Sequence, residues 1–173
     1  TGVISADAML GLPDFRAGER TFQLLTQVAG RAGRGDRPGR VVIQTYYPDH
    51  AAVRLASRHD VTTFLAEELV FRRSFAYPPT TRLALVRWEA ASERAARDAA
   101  EASARALQPL PERVRLRGPA PAPLERIRGL WRWQILLAAA NRELLRDALA
   151  AIESQPAPRR VRRVIDVDPV TTL

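Results

Sequence analysis

Gln27, Gly30, Arg31, Gly33 and Arg34 stand in the order Gln-x-x-Gly-Arg-x-Gly-Arg. Gln27, Arg31 and Arg34 are spaced i, i+4 and i+7, which puts all three on one face of a helix if the helix runs that far. Two guanidinium groups on one face repel each other unless an anion lies between them. Glycines beside them remove the side chains that would hold a large anion away. Such a construction serves cleavage of a triphosphate, where arginine neutralises charge developing on the γ-phosphoryl and leaving oxygens. The same spacing also suits a glycine-rich loop carrying solvated arginines.

A second concentration lies in 113–132, with six arginines, one acid (Glu125) and the pair Trp131 and Trp133 around Arg132. Arginines contact phosphates and exposed rings stack on unpaired bases, so Arg113, Arg115, Arg117, Arg126 and Arg128 are candidate DNA-binding residues. The tryptophans are two apart and share a strand face. That face can equally be core beneath helices. Arg159, Arg160, Arg162 and Arg163 can track a phosphate backbone or simply be solvated. Asp166 and Asp168 share a face and suit pairing with arginines better than a cation. His50 and His59 read as surface residues, and Glu67 and Glu68 as helix partners of Arg72. No metal-ligating set is expected.

The chain that must position these groups has 173 residues, enough for one domain or two small ones, and 46% are hydrophobic, as in a globular protein. All 27 basic residues are arginine, and there is no cysteine. A P-loop lysine, a lysine Schiff base, disulfides, cysteine-held zinc and a thiolate nucleophile are therefore excluded from this chain. A GC-rich genome accounts for arginine in place of lysine, but not for its clustering. Residues 1–80 carry 10 arginines and 8 acids, 10 − 8 = +2, and residues 81–173 carry 17 and 11, 17 − 11 = +6. That excess suits a polyanionic partner. No apolar run is long enough to span a membrane and no secretory leader is visible; the absence of cysteine fits a cytoplasmic protein, and a DNA partner would make it nucleoid-associated. The first residue, Thr1, suggests a piece of something longer.

Periodicity and punctuation predict a short strand at 3–6, a loop to Asp14, and a helix over 19–29 with Phe22, Leu24, Leu25 and Val28 as its stripe. A turn at Arg37-Pro38-Gly39, a strand at 40–46 and a short helix over 49–57 follow. Asp60 is the N-cap of a helix reaching about Ser74. Tyr77-Pro78-Pro79-Thr80 cannot continue it. Beyond lie a strand at 82–90, a helix over 92–107 capped by Ser92, a strand at 114–117, an extended proline loop at 118–123 and a strand at 131–138. Asn141 caps the last helix, striped by Leu144, Leu145, Ala148, Leu149 and Ile152, and a strand at 161–167 closes the chain. The order βαββαβ is the ferredoxin-like plan, a four-stranded antiparallel sheet with both helices on one face.

The Gln27–Arg34 run resembles motif VI of superfamily 2 helicases at all five fixed positions. With Leu12-Pro13-Asp14-Phe15-Arg16 before it, and Gln44-Thr45-Tyr46-Tyr47-Pro48-Asp49-His50, Tyr77-Pro78-Pro79, Trp131-Arg132-Trp133-Gln134 and Asp166-Val167-Asp168-Pro169 after it, essentially the whole chain resembles the C-terminal part of the PriA family of primosomal replication-restart DNA helicases. The resemblance implies an α/β protein: the end of a RecA-like helicase lobe at 1–59, a helical connector at 60–80 and a ferredoxin-like α+β domain binding DNA and partners at 81–173. It implies an ATP-dependent 3′–5′ helicase that recognises stalled or branched forks and starts primosome assembly. Arg34 would be the arginine finger, Arg31 its γ-phosphate partner, and Gln27 the link to the other lobe. ATP, Mg2+ and Zn2+ would belong to the complete protein, with the P-loop and zinc ligands upstream, so this chain alone is expected to bind none of them and to be inactive. The implied partners are forked and single-stranded DNA, primosome proteins, the replicative-helicase loading machinery and the acidic tail of single-stranded-DNA-binding protein. The tail site falls on Trp131, Arg132, Trp133 and Gln134. Leu130 departs from the pattern, since many relatives carry a basic residue there. The protein is expected to be monomeric. A stand-alone nucleic-acid-binding module and a truncated gene product are the other readings open to the same residues.

Overall fold

The computed structural model describes residues 2–3, 5–32 and 40–172. The chain divides into two compact units, one up to Ser74 and one from Phe75 onward.

The first unit opens with β1 (Gly2–Val3), α1 (Asp7–Leu10) and α2 (Ala17–Ala32), followed by β2 (Val42–Ile43), α3 (Ala51–Ala56) and α4 (Val61–Ser74). The two strands pair in parallel over two residues each. The strands predicted at 3–6 and 40–46 are both longer. The pairing continues only as isolated bonds, Gln44 N–H to the Val3 carbonyl and Ala6 N–H to the Gln44 carbonyl, before α1 turns the chain away. Asp7, the first residue of that helix, then holds the Thr45 hydroxyl and the Tyr46 N–H.

α2 starts earlier and ends later than the 19–29 prediction. It buries Ala17, Thr21, Phe22 and Leu25, while Leu24 of the predicted stripe is exposed. Phe22 stacks on Phe64 of α4 with ring centroids 4.0 Å apart. Arg72 of α4 donates to Glu68 at 2.8 Å and to Glu19 at 2.7 Å, tying α4 to the start of α2. Burial alone would lower the Arg72 pKa, but the two carboxylates outweigh it and hold the group above its ordinary value. Glu67 turns to Arg54 instead, accepting at 2.9 Å on each oxygen. α3 begins at His50, whose Nδ1 accepts from the Ala52 N–H, so this surface histidine is an N-cap.

The second unit runs β3 (Arg82–Ala90), α5 (Glu93–Ala106), β4 (Val114–Ile127), β5 (Leu130–Ala139), α6 (Arg142–Glu153) and β6 (Val161–Val167). The sheet order is β4-β5-β3-β6 and every neighbouring pair is antiparallel. Ser92 and Asn141 cap α5 and α6, each accepting from the N–H three residues on. Ala84, Val86, Trp88 and Ala90 of β3, with Ile135, Leu137 and Ala139 of β5, meet Ala96, Ala100, Leu145 and Ile152 of the two helices in one core. Trp88 is 1% exposed at its centre.

β4 corrects the prediction of a short strand and a proline loop. It is one long strand whose pairing with β5 is interrupted between Arg117 and Ala120 and between Pro121 and Arg126. It lies at the edge of the sheet, where prolines are tolerated. Pro119, Pro121 and Pro123 are two apart, so their missing N–H groups fall on the same side of the strand. Gly118, at φ +90°, makes the turn at the first interruption.

Candidate nucleic-acid interface

α2 runs unbroken through Gly30 to Ala32, so Gln27 and Arg31 sit one turn apart on the helix. Both are exposed. A Cβ added at Gly30 would meet nothing within 4 Å. The helix at Gly30 therefore borders open space, and no packing demand from the described residues explains a glycine there. Arg31 has no ion pair among the described residues. Arg34 and Gly33 lie outside the described residues.

In the second unit the strand register separates the five candidate arginines. Arg113 and Arg115 are exposed beside Val114, which pairs with Ala139 at one end of the sheet. Arg126 and Arg128 are exposed at the tip of the β4–β5 hairpin, where Arg126 pairs with Trp131 and Ile127 with Leu130. Arg117 is turned inward: it donates to the Phe75 carbonyl and its guanidinium lies 4.7 Å from the Tyr77 ring centroid. The five do not form one patch, and Arg117 holds the segment at 75–77 onto the sheet.

The four residues of the proposed tail site divide between two faces by strand alternation. Trp133 packs against the helix-side core. Trp131 is half-buried under the Arg126 guanidinium, 5.4 Å from its ring centroid. Arg132 and Gln134 face the other way, beside Glu89 and Arg87 of β3. Arg132 is only 6% exposed, donates to the Leu124 carbonyl at 3.1 Å and lies 3.7 Å from Glu89. Burial, then the neighbouring Arg87, pull its pKa below the ordinary arginine value against the opposing pull of Glu89. The Gln134 Oε1 is buried with no hydrogen-bond partner among the described residues.

Glu89 is the residue that sequence reasoning passed over. Arg87 meets it at 3.0 Å, Arg132 at 3.7 Å and Arg162 at 4.0 Å. The signal was present as alternation on β3, where Arg87 and Glu89 interleave with Val86, Trp88 and Ala90. Its partners on β5 and β6 are long-range and leave no local trace. Arg163 is not a backbone tracker: it donates to the carbonyls of Ile152, Glu153 and Gln155 at the end of α6. The Ile152 carbonyl also accepts the Gln155 N–H at 3.2 Å, so Arg163 adds a side-chain donor to the closing turn of α6, where a cation suits the helix dipole. Asp168 pairs with Arg82 at 3.6 Å. Among the described residues no group of three or more histidine, cysteine, aspartate and glutamate side chains could hold a metal. No helix there is long and apolar enough to cross a membrane.

The chain is thus a mixed α/β protein with an arginine-bearing helix in one unit and a basic edge hairpin in the other. Residues 73–170 match the family model for the Primosomal protein N C-terminal domain, and the chain belongs to that family, the C-terminal domain of PriA proteins. Replication restart protein PriA of Synechocystis is 42% identical over 171 residues, covering 98% of this chain and 20% of that protein. The Bacillus subtilis protein of the same name is 39% identical, covering 97% of this chain and 22% of its own length. That of Haemophilus influenzae is 37% identical, at 96% and 23%. The chain thus spans about a fifth to a quarter of these relatives.

Proposed function

We propose that the chain is the C-terminal end of an ATP-driven 3′–5′ DNA helicase of replication restart. The first unit would close a RecA-like second motor lobe, and the second would be a ferredoxin-like domain for forked DNA and protein partners. The observation carrying the motor reading is the exposed placement of Gln27 and Arg31 one helical turn apart, beside a glycine bordering open space. An exposed cation beside an uncrowded glycine fits a triphosphate, which would supply the phosphoryl group whose cleavage drives strand separation. Arg31 would neutralise the γ-phosphate, Arg34 would act as the arginine finger and Gln27 would couple the cleft to the other lobe. The chain has no lysine for a P-loop, so hydrolysis requires residues outside it and is not expected of this chain alone. Zinc does not fit this chain, which lacks cysteine and, among the described residues, any cluster of ligands; the zinc of the complete protein would be held elsewhere.

The antiparallel order β4-β5-β3-β6 supports the ferredoxin-like description of the second unit. Its exposed arginines would contact forked and single-stranded DNA. Arg132 and Gln134, adjacent on the sheet face away from the helices, are the candidates for the acidic tail of single-stranded-DNA-binding protein. Primosome proteins and the helicase-loading machinery would complete the partners of a monomer working in the cytoplasm at the nucleoid. A second reading, a nucleic-acid-binding module without motor activity, is favoured by one feature: the second unit has its own closed core. The two separate in the full-length protein. There Arg34→Ala should lower DNA-stimulated ATP turnover by roughly 10³-fold or more while nucleotide binding persists. Turnover at the wild-type rate overturns the motor reading.

A further inference from the structure

One end of the second unit gathers cations from segments far apart in sequence. Strand register brings the hairpin tip, with Arg126 and Arg128, to the end of the sheet where Ala90 pairs with both Trp131 and Val161. A shallow groove of about 310 Å3 opens at this end, lined by Glu89, Leu130, Arg160, Val161 and Arg162. The turn residues Arg128 and Gly129 lead directly into Leu130. Glu89 is the acid in the groove, and its charge is already shared with Arg87 and the buried Arg132. Arg162 reaches it only at 4.0 Å and stays 72% exposed, so little of its charge is neutralised. Among the described residues Arg126, Arg128 and Arg160 have no carboxylate partner.

Two of these arginines also occupy backbone positions that their side chains disfavour. Arg128, at φ 50°, is the first residue of the two-residue hairpin turn with Gly129 at φ 82°. Asn-Gly is the favoured pair for a turn with both φ positive. Arg160, at φ 65°, leads the chain into β6. Non-glycine residues are uncommon in this region, which His59, Ala76 and Asp168 also adopt in this chain.

We propose that the groove and the hairpin tip form one phosphodiester track, on which the backbone of a DNA strand crosses the end of the sheet from Arg126 and Arg128 to Arg160 and Arg162. This rests on the reading that the second unit binds DNA. Separate cations gathered at one end of the sheet suit a repeating anion better than a single carboxylate. Leu130 gives the groove an apolar wall against which a sugar can lie.

The test is fluorescence anisotropy of the whole 173-residue chain with labelled forked DNA across a salt series. A variant with Arg128→Asn and Arg160→Asn should bind about tenfold more weakly at moderate salt, and its log–log salt slope should be shallower by about 1–2. Its melting temperature should hold or rise, because Asn accepts the left-handed region better than Arg. Arg162→Gln should weaken binding without touching either strained position. Arg94→Asn with Arg97→Asn removes the same charge from α5 and should change affinity far less. Equal loss in the two double variants means a diffuse field and overturns the track. So does unchanged binding in the Arg128/Arg160 variant while wild type binds. If wild type itself does not bind forked DNA, the underlying DNA-binding reading fails.

Discussion

Asp60 holds the Thr63 N–H at 3.0 Å and closes the first turn of α4. That bond, with a second from the Thr63 side chain, keeps the Asp60 carboxyl below its ordinary value. A carboxyl whose folded pKa is depressed contributes stability above its unfolded pKa and loses it as pH falls through the folded one. Acidification below about pH 4, the ordinary aspartate range, should therefore fray the start of α4. Asp60→Asn retains a cap without the titration, so the acid-side loss of helical ellipticity in a circular dichroism titration should shrink. An unchanged acid limb would assign the effect to other carboxylates. Such caps are readable in sequence because donor and acceptor lie within three residues. Asp60, Ser92 and Asn141 all act as their spacing predicts. His50 escaped because histidine is an uncommon cap. The role of Arg132 could not be read at all, since its partners Glu89 and Leu124 come from other strands.

At the scale of elements, two glycines separate packing from propensity. Gly30 lies inside α2 with nothing near its missing Cβ, so Gly30→Ala should stabilise the helix by about 0.5–1 kcal/mol. Gly118, at φ +90°, would bring a Cβ to 2.8 Å from the Gln134 carbonyl oxygen and 3.1 Å from the Ala120 nitrogen, both backbone atoms. Gly118→Ala should destabilise the second unit by about 1–3 kcal/mol. Thermal melts of the two variants should move in opposite directions. α5 and α6 were legible because their apolar residues recur at helical spacing and their caps are local. β4 was not, because an edge strand can absorb prolines that would break a central one. Its length is decided by pairing with β5 rather than by its own composition.

The whole molecule is two units with separate cores, Phe22, Leu25, Val53, Leu55 and Phe64 in one and the sheet–helix core around Trp88 in the other. Since the second core draws on no residue before Ala84 among those described, a chain of 75–173 should fold alone. Its cooperative melt and buried-tryptophan emission should match those of the second unit in the full chain; a molten, non-cooperative product would show that the first unit is required. Composition and motif order determined the family to which this chain belongs, because covalent spacing carries that information. The alternation of strands and helices was equally plain from local periodicity. Which arginines act together was not. Arg115 and Arg126 lie on one strand but towards different ends of it, while Arg128 and Arg160 are distant in sequence and lie at the same end of the sheet. Strand register places them, and register is set by long-range hydrogen bonding and burial of one sheet face, neither of which is written in any short stretch of chain.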